Sequence, residues 1–186
     1  MPVKIKPPMI TVLGFDPGAS GGVAILGELD PVVFPMPETH RDLWELVRTY
    51  GLAVRRAKDV FAFVEQVGGF MGRAAGEHGT ANRASAHTMF RFGYGAGVIE
   101  AFLIAADIPY ELVPPQRWQK GGPDSLGISP RKNGEGKTAW KGRLRSHAQR
   151  LFPGLRVTSA TADALLIAEW GRRRLQPAQP AARYNA

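Results

Sequence analysis

The sequence predicts an α/β fold in which one mixed sheet carries helices on both of its faces. The order of its apolar runs indicates three strands, a helix, a strand, a helix, a strand and terminal helices. A length of 186 residues fits one domain, and a composition of 44% hydrophobic and 22% charged residues is typical of a globular protein. We therefore expect one domain over residues 1–174 and a disordered tail over residues 175–186.

The first three predicted strands are close in sequence and should pair as antiparallel neighbours. Apolar runs at residues 12–15 and 22–26 flank a glycine-rich turn, and a third run covers residues 31–34. Two later runs are rich in β-branched and aromatic residues, "DVFAFVE" at residues 59–65 and "IPYELV" at residues 108–113. These runs predict the remaining two strands.

Helical spacing of apolar residues predicts the helices, and its absence predicts two loops, at residues 68–85 and 121–136. Proline at the first helical position supports a short helix that begins within "PPQRWQK". The other predicted helices cover residues 41–50, 87–107, 137–152 and 161–174.

The chain is strongly basic, with a formal net charge of +8, and the basic residues cluster between residues 113 and 174. Clustered positive charge favours a nucleic acid as the partner, although a solvated basic surface is the plain alternative. The absence of cysteine excludes disulfides, thiolate metal sites and a cysteine nucleophile. No apolar run reaches the length of a membrane span and the N-terminus lacks a signal-peptide core, so we expect a cytoplasmic protein with no membrane partner.

Three acidic residues adjoin apolar segments. Asp16 ends the first strand, Glu65 ends the fourth, and Asp163 opens the last helix. Each has a structural alternative, namely an Asx turn, a strand end and a favourable charge at a helix N-terminus. Buried carboxylates are costly unless they are paired, and hard oxygen ligands suit Mg²⁺ or Mn²⁺. Together the three acids predict a metal site at one edge of the sheet.

Five segments occur in the same order as in the RuvC-type Holliday junction resolvases, and the whole set resembles that family. They are "GFDPGASGGVAIL", "FAFVEQVGG", "FGYGAGVIEAFL", "VPPQRWQK" and "ADALLIAEWG". The fourth is similar to the P-x-x-W-K element of phage-encoded members. The resemblance implies an RNase H-like fold, with a mixed five-stranded sheet of three antiparallel strands plus two parallel ones.

The resemblance also implies an activity. It assigns Asp16, Glu65 and Asp163 as ligands of two Mg²⁺ ions, with Mn²⁺ as a substitute, and Asp16 as the residue that bridges them. Two such ions activate water and stabilise the leaving oxygen of a phosphodiester. The implied enzyme resolves four-way DNA junctions by symmetric cleavage as a homodimer, leaves 5′-phosphate and 3′-hydroxyl ends, and needs no organic cofactor.

One departure from the family pattern concerns a fourth metal ligand. Relatives carry an acid or a histidine three or four residues before the last aspartate, where this chain has Ala160 and Ser159. Ser159 or Thr161 could hold a metal-bound water, but neither replaces a charge, and His147 in the preceding helix is expected at the surface. The departure leaves open an inactive protein or one that prefers Mn²⁺.

The resemblance assigns further residues to DNA. Lys120 and Lys137 match catalytic lysines that approach the scissile phosphate, and Lys141 and Arg145 continue the face of Lys137 in steps of four residues. An aromatic residue near Phe70 inserts at the junction centre in relatives, although packing against a helix is the alternative. The complete predicted DNA-binding set is Phe70, Met71, Arg73, Arg117, Lys120, Lys137, Lys141 and Arg145.

A strip of small residues lies on the long central helix at Gly93, Gly97, Ala101 and Ala105. Such a strip lets another backbone approach closely, either the protein's own sheet or a second copy of the helix in a homodimer. A C₂ dimer would place two active sites symmetrically on a four-way junction.

Three alternative functions are considered, and the sequence argues against the third. A RuvC-like nuclease of the YqgF type would act on RNA, and a non-catalytic protein would bind branched DNA without cutting it. Actin-like ATPases and sugar kinases also begin with an aspartate and a glycine turn, but they need a second phosphate motif that this sequence does not contain.

Overall fold

A computed structural model describes residues 10–53, 60–66, 86–119 and 126–175, with the side chains of residues 51–53 and 86–89 excepted. A five-stranded sheet forms its centre, in the order β3-β2-β1-β4-β5. The strands are β1 (Thr11–Asp16), β2 (Gly22–Leu26), β3 (Val32–Pro35), β4 (Val60–Glu65) and β5 (Tyr110–Val113).

The sheet is mixed, as the sequence predicts. β1 pairs antiparallel with β2, and β2 pairs antiparallel with β3. β4 pairs parallel with β1, and β5 pairs parallel with β4. The fold class is therefore confirmed, with three antiparallel strands followed by two parallel ones.

Five helices accompany these strands in the described part of the chain, within a few residues of the predicted positions. They are α1 (His40–Ala53), α2 (Ala86–Ala105), α3 (Pro115–Gln119), α4 (Lys137–Leu151) and α5 (Ala162–Leu175). Residues 126–136 are irregular, as expected. The predicted loop at 68–85 and all of the predicted tail except Leu175, which ends α5, lie outside the described residues.

Both faces of the sheet are covered, because successive side chains of β1 point to opposite sides. Leu13 joins a core with the buried residues of α1 and α2, such as Val47 and Ile99. Val12 joins the other core, which is completed by α3, α4 and α5. Among the helices of the described ranges, none is both long and apolar enough to cross a lipid bilayer.

Helix α5 lies directly on β1, and a glycine makes this possible. A Cβ atom at Gly14 would lie 2.7 Å from the backbone nitrogen of Ala168 and would clash with the backbone oxygen of Ala164. The missing side chain thus lets α5 cross the centre of the sheet, and this contact brings the first turn of α5 close to the carboxyl end of β1.

Candidate active site

Three acidic side chains meet where β1, β4 and α5 come together. Asp16 and Glu65 are the last residues of their strands, and the parallel register that pairs Phe15 with Val64 puts both ends at one edge. Alternation of side chains along each strand places both carboxylates on the sheet face that α5 covers. Asp163 lies in the first turn of α5 and is 1% exposed.

The three acids form two groups. Asp16 and Glu65 contact each other, whereas Asp163 is paired with a lysine. Asp16 and Glu65 share a hydrogen bond, and the indole Nε1 of Trp118 donates to Glu65 Oε1 at 3.2 Å. Lys141 Nζ forms an ion pair with Asp163 Oδ2. The other oxygen of Asp163, Oδ1, is buried and has no hydrogen-bond partner among the described residues.

The carboxylates repel one another in a poorly solvated place. Burial, followed by the charge of Asp163, raises the pKa of Asp16 from 3.8 to about 6. Burial, followed by the charges of Asp16 and Asp163, raises the pKa of Glu65 from 4.5 to about 8. Both shifts favour the protonated form, so the two hydrogen-bonded carboxyl groups hold a proton more tightly than isolated carboxyl groups do.

Lys141 supplies positive charge to this cluster. Burial opposes the charged form of its ammonium group, but attraction by Asp163, Asp16 and Glu65 outweighs burial and raises the pKa of Lys141. Its side chain is 41% exposed, so it extends from the surface onto the buried Asp163. The sequence predicted a phosphate contact for Lys141, whereas the structure places its ammonium group among the carboxylates.

A divalent cation fits the donor set of this cluster. In the described ranges, no three acidic or histidine side chains already surround one point as ligands of a metal ion. The hydrogen bond between Asp16 and Glu65 and the ion pair at Asp163 hold the oxygens in separate pairs. The unpartnered Asp163 oxygen and the two raised pKa values indicate a shortage of positive charge, which a hard cation would correct.

The segment before Asp163 adds no further charged ligand. Ala160 packs its carbonyl oxygen against the glycine turn, 2.6 Å from where a Cβ of Gly22 would be. Ser159 is exposed, and the Thr161 hydroxyl accepts a hydrogen bond from the backbone N–H of Thr158 at 3.0 Å.

His147, which the sequence placed at the surface, is partly buried. Its Nε2 is hydrogen-bonded to the backbone oxygen of Leu126 at 2.7 Å, and its Nδ1 to Arg150 at 3.1 Å. Burial lowers the pKa of His147, and this side chain serves the packing of α4 rather than the acidic cluster.

Two of the predicted DNA contacts, Arg117 and Lys141, form ion pairs with acids of the chain. Arg117 pairs with Glu111 at 3.2 Å and lies over the ring of Trp170. Besides Arg117, five bases of the cluster between residues 113 and 174 form ion pairs with acids, namely Lys141, Arg143, Arg172, Arg173 and Arg174. Much of the basic cluster is thus structural, a distinction that the charge count could not make.

Lys137 and Arg145 are exposed on α4, and within the described ranges neither pairs with an acid. They lie one turn before and one turn after Lys141, about 6 Å along the helix in each direction. These two bases therefore flank the acidic cluster. Phe70, Met71, Arg73 and Lys120 lie outside the described residues.

The strip of small residues on α2 points away from the protein's own sheet. Within 4 Å of a Cβ atom added at Gly93 or Gly97, the described residues place no atom beyond the helix's own nearby backbone, and Ala101 and Ala105 are exposed. The residues of α2 that pack on the sheet include Ile99 and Leu103.

Trp118 and the position of Lys141 are the two features of the site that sequence reasoning missed. Trp118 is fully buried in a short helix directly after β5, the neighbour of β4. Lys141 lies between the buried residues Trp140 and Leu144, a spacing that indicates a half-buried position.

No protein-family model matches this sequence, and no curated protein sequence matches it. The solved structure of T. thermophilus RuvC in complex with Holliday junction substrate superimposes with a TM-score of 0.51 at 15% identity, covering 90% of this chain and 96% of that one. The chain has the RuvC fold. A second Thermus thermophilus RuvC structure agrees, with a TM-score of 0.50, 16% identity and the same coverage. At this identity the likeness establishes the RuvC fold, and the chemistry rests on the carboxylates.

Proposed function

We propose that this protein is a divalent-metal-dependent endonuclease that resolves four-way DNA junctions. The observation that carries the proposal is the meeting of Asp16, Glu65 and Asp163 at one sheet edge, with a buried carboxylate oxygen that has no hydrogen-bond partner in the described part of the chain. The RuvC fold supports it, because T. thermophilus RuvC has been solved in complex with a Holliday junction substrate.

The reaction adds the oxygen of a water to phosphorus and breaks the bond to O3′. It leaves a 5′-phosphate and a 3′-hydroxyl, whose proton comes from the water. A bound Mg²⁺ or Mn²⁺ supplies the Lewis acid that activates water and stabilises the leaving oxygen. Asp16, Glu65 and Asp163 would hold that ion, with Asp16 in the central position between the other two.

The surrounding residues orient these ligands. Trp118 fixes one oxygen of Glu65 through its indole N–H, and Lys141 fixes one oxygen of Asp163. When the pair of Asp16 and Glu65 binds a cation, it gives up the proton that the raised pKa values favour. Metal binding is therefore expected to release protons near neutral pH.

Exposed bases on α4 would bind the DNA backbone. Lys137 and Arg145 flank the acidic cluster, and phosphate contacts of this kind position a substrate without reading its sequence. Lys137 and Lys120 are proposed to approach the scissile phosphate. Phe70, Met71 and Arg73 are proposed to contact the junction from the segment after β4.

A homodimer is the proposed assembly, with the small-residue strip of α2 as its seam. The open space at Gly93 and Gly97 supports this, because another backbone could approach there. Two-fold symmetry would present two equal active sites to the two strands that must be cut. The cytoplasm is the proposed compartment, and the P-x-x-W element supports a phage-type protein.

A nicking assay on a labelled four-way DNA junction tests the proposal. The parent protein should cut in Mg²⁺ or Mn²⁺ and stop in EDTA, and its products should carry 5′-phosphates that a ligase can rejoin. Asp16→Asn should lower cleavage at least about 100-fold while junction binding persists. Asp30→Asn, an exposed aspartate in the turn after β2, is the matched control and should cut like the parent.

The same assay, run on structured RNA as well as on the DNA junction, distinguishes this function from its alternatives. Cleavage of structured RNA in preference to the junction would indicate the RNA-directed nuclease. Junction binding without cleavage in either metal would indicate the non-catalytic binder. Equal cleavage by Asp16→Asn and the parent would refute the proposed site.

A further inference from the structure

We propose that the ammonium group of Lys141 takes the place of one of the two divalent cations, so that each active site holds a single metal ion. This inference rests on the proposed function, since it concerns the metal of the same site. The family resemblance leads one to expect two ions. The contacts of Asp163 and the residues before it argue for one.

The first argument is that a cation already lies at the Asp163 half of the site. Lys141 Nζ is paired with Asp163 Oδ2, and the lysine extends from the surface onto an aspartate that is almost fully buried. Asp16 and Glu65 form the other part of the site, where their carboxyl groups are hydrogen-bonded to each other. A single ion held by Asp16 and Glu65 could take Asp163 Oδ1 as its third protein ligand, since this oxygen has no hydrogen-bond partner in the described ranges.

The second argument concerns charge. Three ionised carboxylates carry three negative charges, which one divalent ion and one ammonium group neutralise. Two divalent ions beside the same ammonium group would leave an excess of two positive charges among buried groups, which is costly. Lys141 would have to leave Asp163 before a second ion could enter.

The third argument is that, while Lys141 occupies Asp163 Oδ2, a second ion would lack a charged protein ligand of its own. Ala160 has no donor in its side chain, Ser159 is exposed, and the Thr161 hydroxyl is hydrogen-bonded to Thr158. The absence of an acid at Ser159 or Ala160 and the presence of Lys141 therefore belong together. In relatives the additional acid would help to bind a second metal ion, whereas here Lys141 supplies positive charge at that place.

Electron paramagnetic resonance of Mn²⁺ in titrations of the full-length protein tests the inference without depending on activity. The parent should bind one Mn²⁺ per chain, with the spectrum of an isolated ion. Lys141→Met, which keeps an unbranched side chain, one atom shorter, and removes its charge, should bind two per chain, with the spectrum of a coupled pair. Lys141→Arg should restore a count of one.

Lys137→Met is the matched control, because Lys137 lies on the same helix but is exposed and has no acidic partner in the described ranges. It should bind one ion, and Asp16→Asn should lose that ion. Two coupled ions in the parent, or a count of one in Lys141→Met, would overturn the inference. If the parent binds two ions and cuts junctions, the inference alone fails. If it binds none and cuts nothing, the proposed function fails as well.

Discussion

Replacing Glu65 with glutamine should stabilise the metal-free protein. The gain should be absent at acidic pH and should grow as the pH rises above 4.5. In the folded protein the pKa of Glu65 is about 8, against 4.5 for an unperturbed glutamate. The folded state therefore binds a proton that the unfolded state releases. Stability that is fully present below pH 4.5 is lost as the pH rises through about 8. Glutamine is neutral at every pH and avoids this loss.

The size of the effect follows from the two pKa values. Each tenfold change in proton affinity is worth about 1.4 kcal/mol, so the displacement of the pKa of Glu65 sets a ceiling of about 5 kcal/mol. Glu65 is partly exposed, and solvent screening reduces this to an expected gain of about 2 kcal/mol at pH 8. Glutamine preserves both hydrogen bonds, since its oxygen accepts from Trp118 and its amide group donates to Asp16.

Urea unfolding in EDTA, at several pH values from below 4.5 to above 8, measures the difference between Glu65→Gln and the parent. Glu28→Gln, an exposed glutamate in the turn after β2, is the control and should differ from the parent by less than about 0.5 kcal/mol throughout. Added Mg²⁺ should stabilise the parent more than Glu65→Gln. A difference that does not change with pH would refute the account of Glu65 as a carboxyl group protonated by burial.

Three further predictions concern the fold, the DNA surface and the assembly. Gly14→Ala should cost about 3 kcal/mol in urea unfolding, because the new methyl group would collide with α5, and a loss below about 0.5 kcal/mol would contradict that contact. Lys137→Ala should reduce the slope of log affinity against log salt for junction binding by about one, whereas Arg143→Ala, whose charge is paired with Glu135, should leave the slope nearly unchanged. Ala101→Glu should convert a dimer to a monomer in light scattering, and a persistent dimer would place the seam elsewhere than on α2.

The positions of the three acids could be predicted because they depend on local pattern. An apolar strand that ends on a carboxylate is visible in the sequence at Asp16 and at Glu65, and the apolar helix behind Asp163 is equally plain. Parallel strands and a covering helix then bring such ends to one edge. The antiparallel pairing of the first three strands follows from the same short runs and their spacing.

The roles of individual bases could not be predicted in this way. Lys137 and Lys141 share one helical face, and although the spacing of Trp140 and Leu144 indicates that Lys141 is half-buried, it does not say which acid that lysine meets. Only the packing of α4 beside α5 makes Lys141 the residue that pairs with Asp163. Likewise, the charge of Arg143 is matched by Glu135, eight residues before it, through folding of the loop before α4.

The sequence by itself determined the fold class, the order of the elements and the three acids, because apolar periodicity and strand ends are properties of neighbouring residues. The tertiary structure alone decided which cation meets those acids, which indole orients Glu65, and that the glycine strip of α2 is turned away from the sheet. These features depend on how elements distant in the chain pack together. Such contacts depend on the shapes of two surfaces that meet only in the folded protein, so a local sequence pattern cannot predict them.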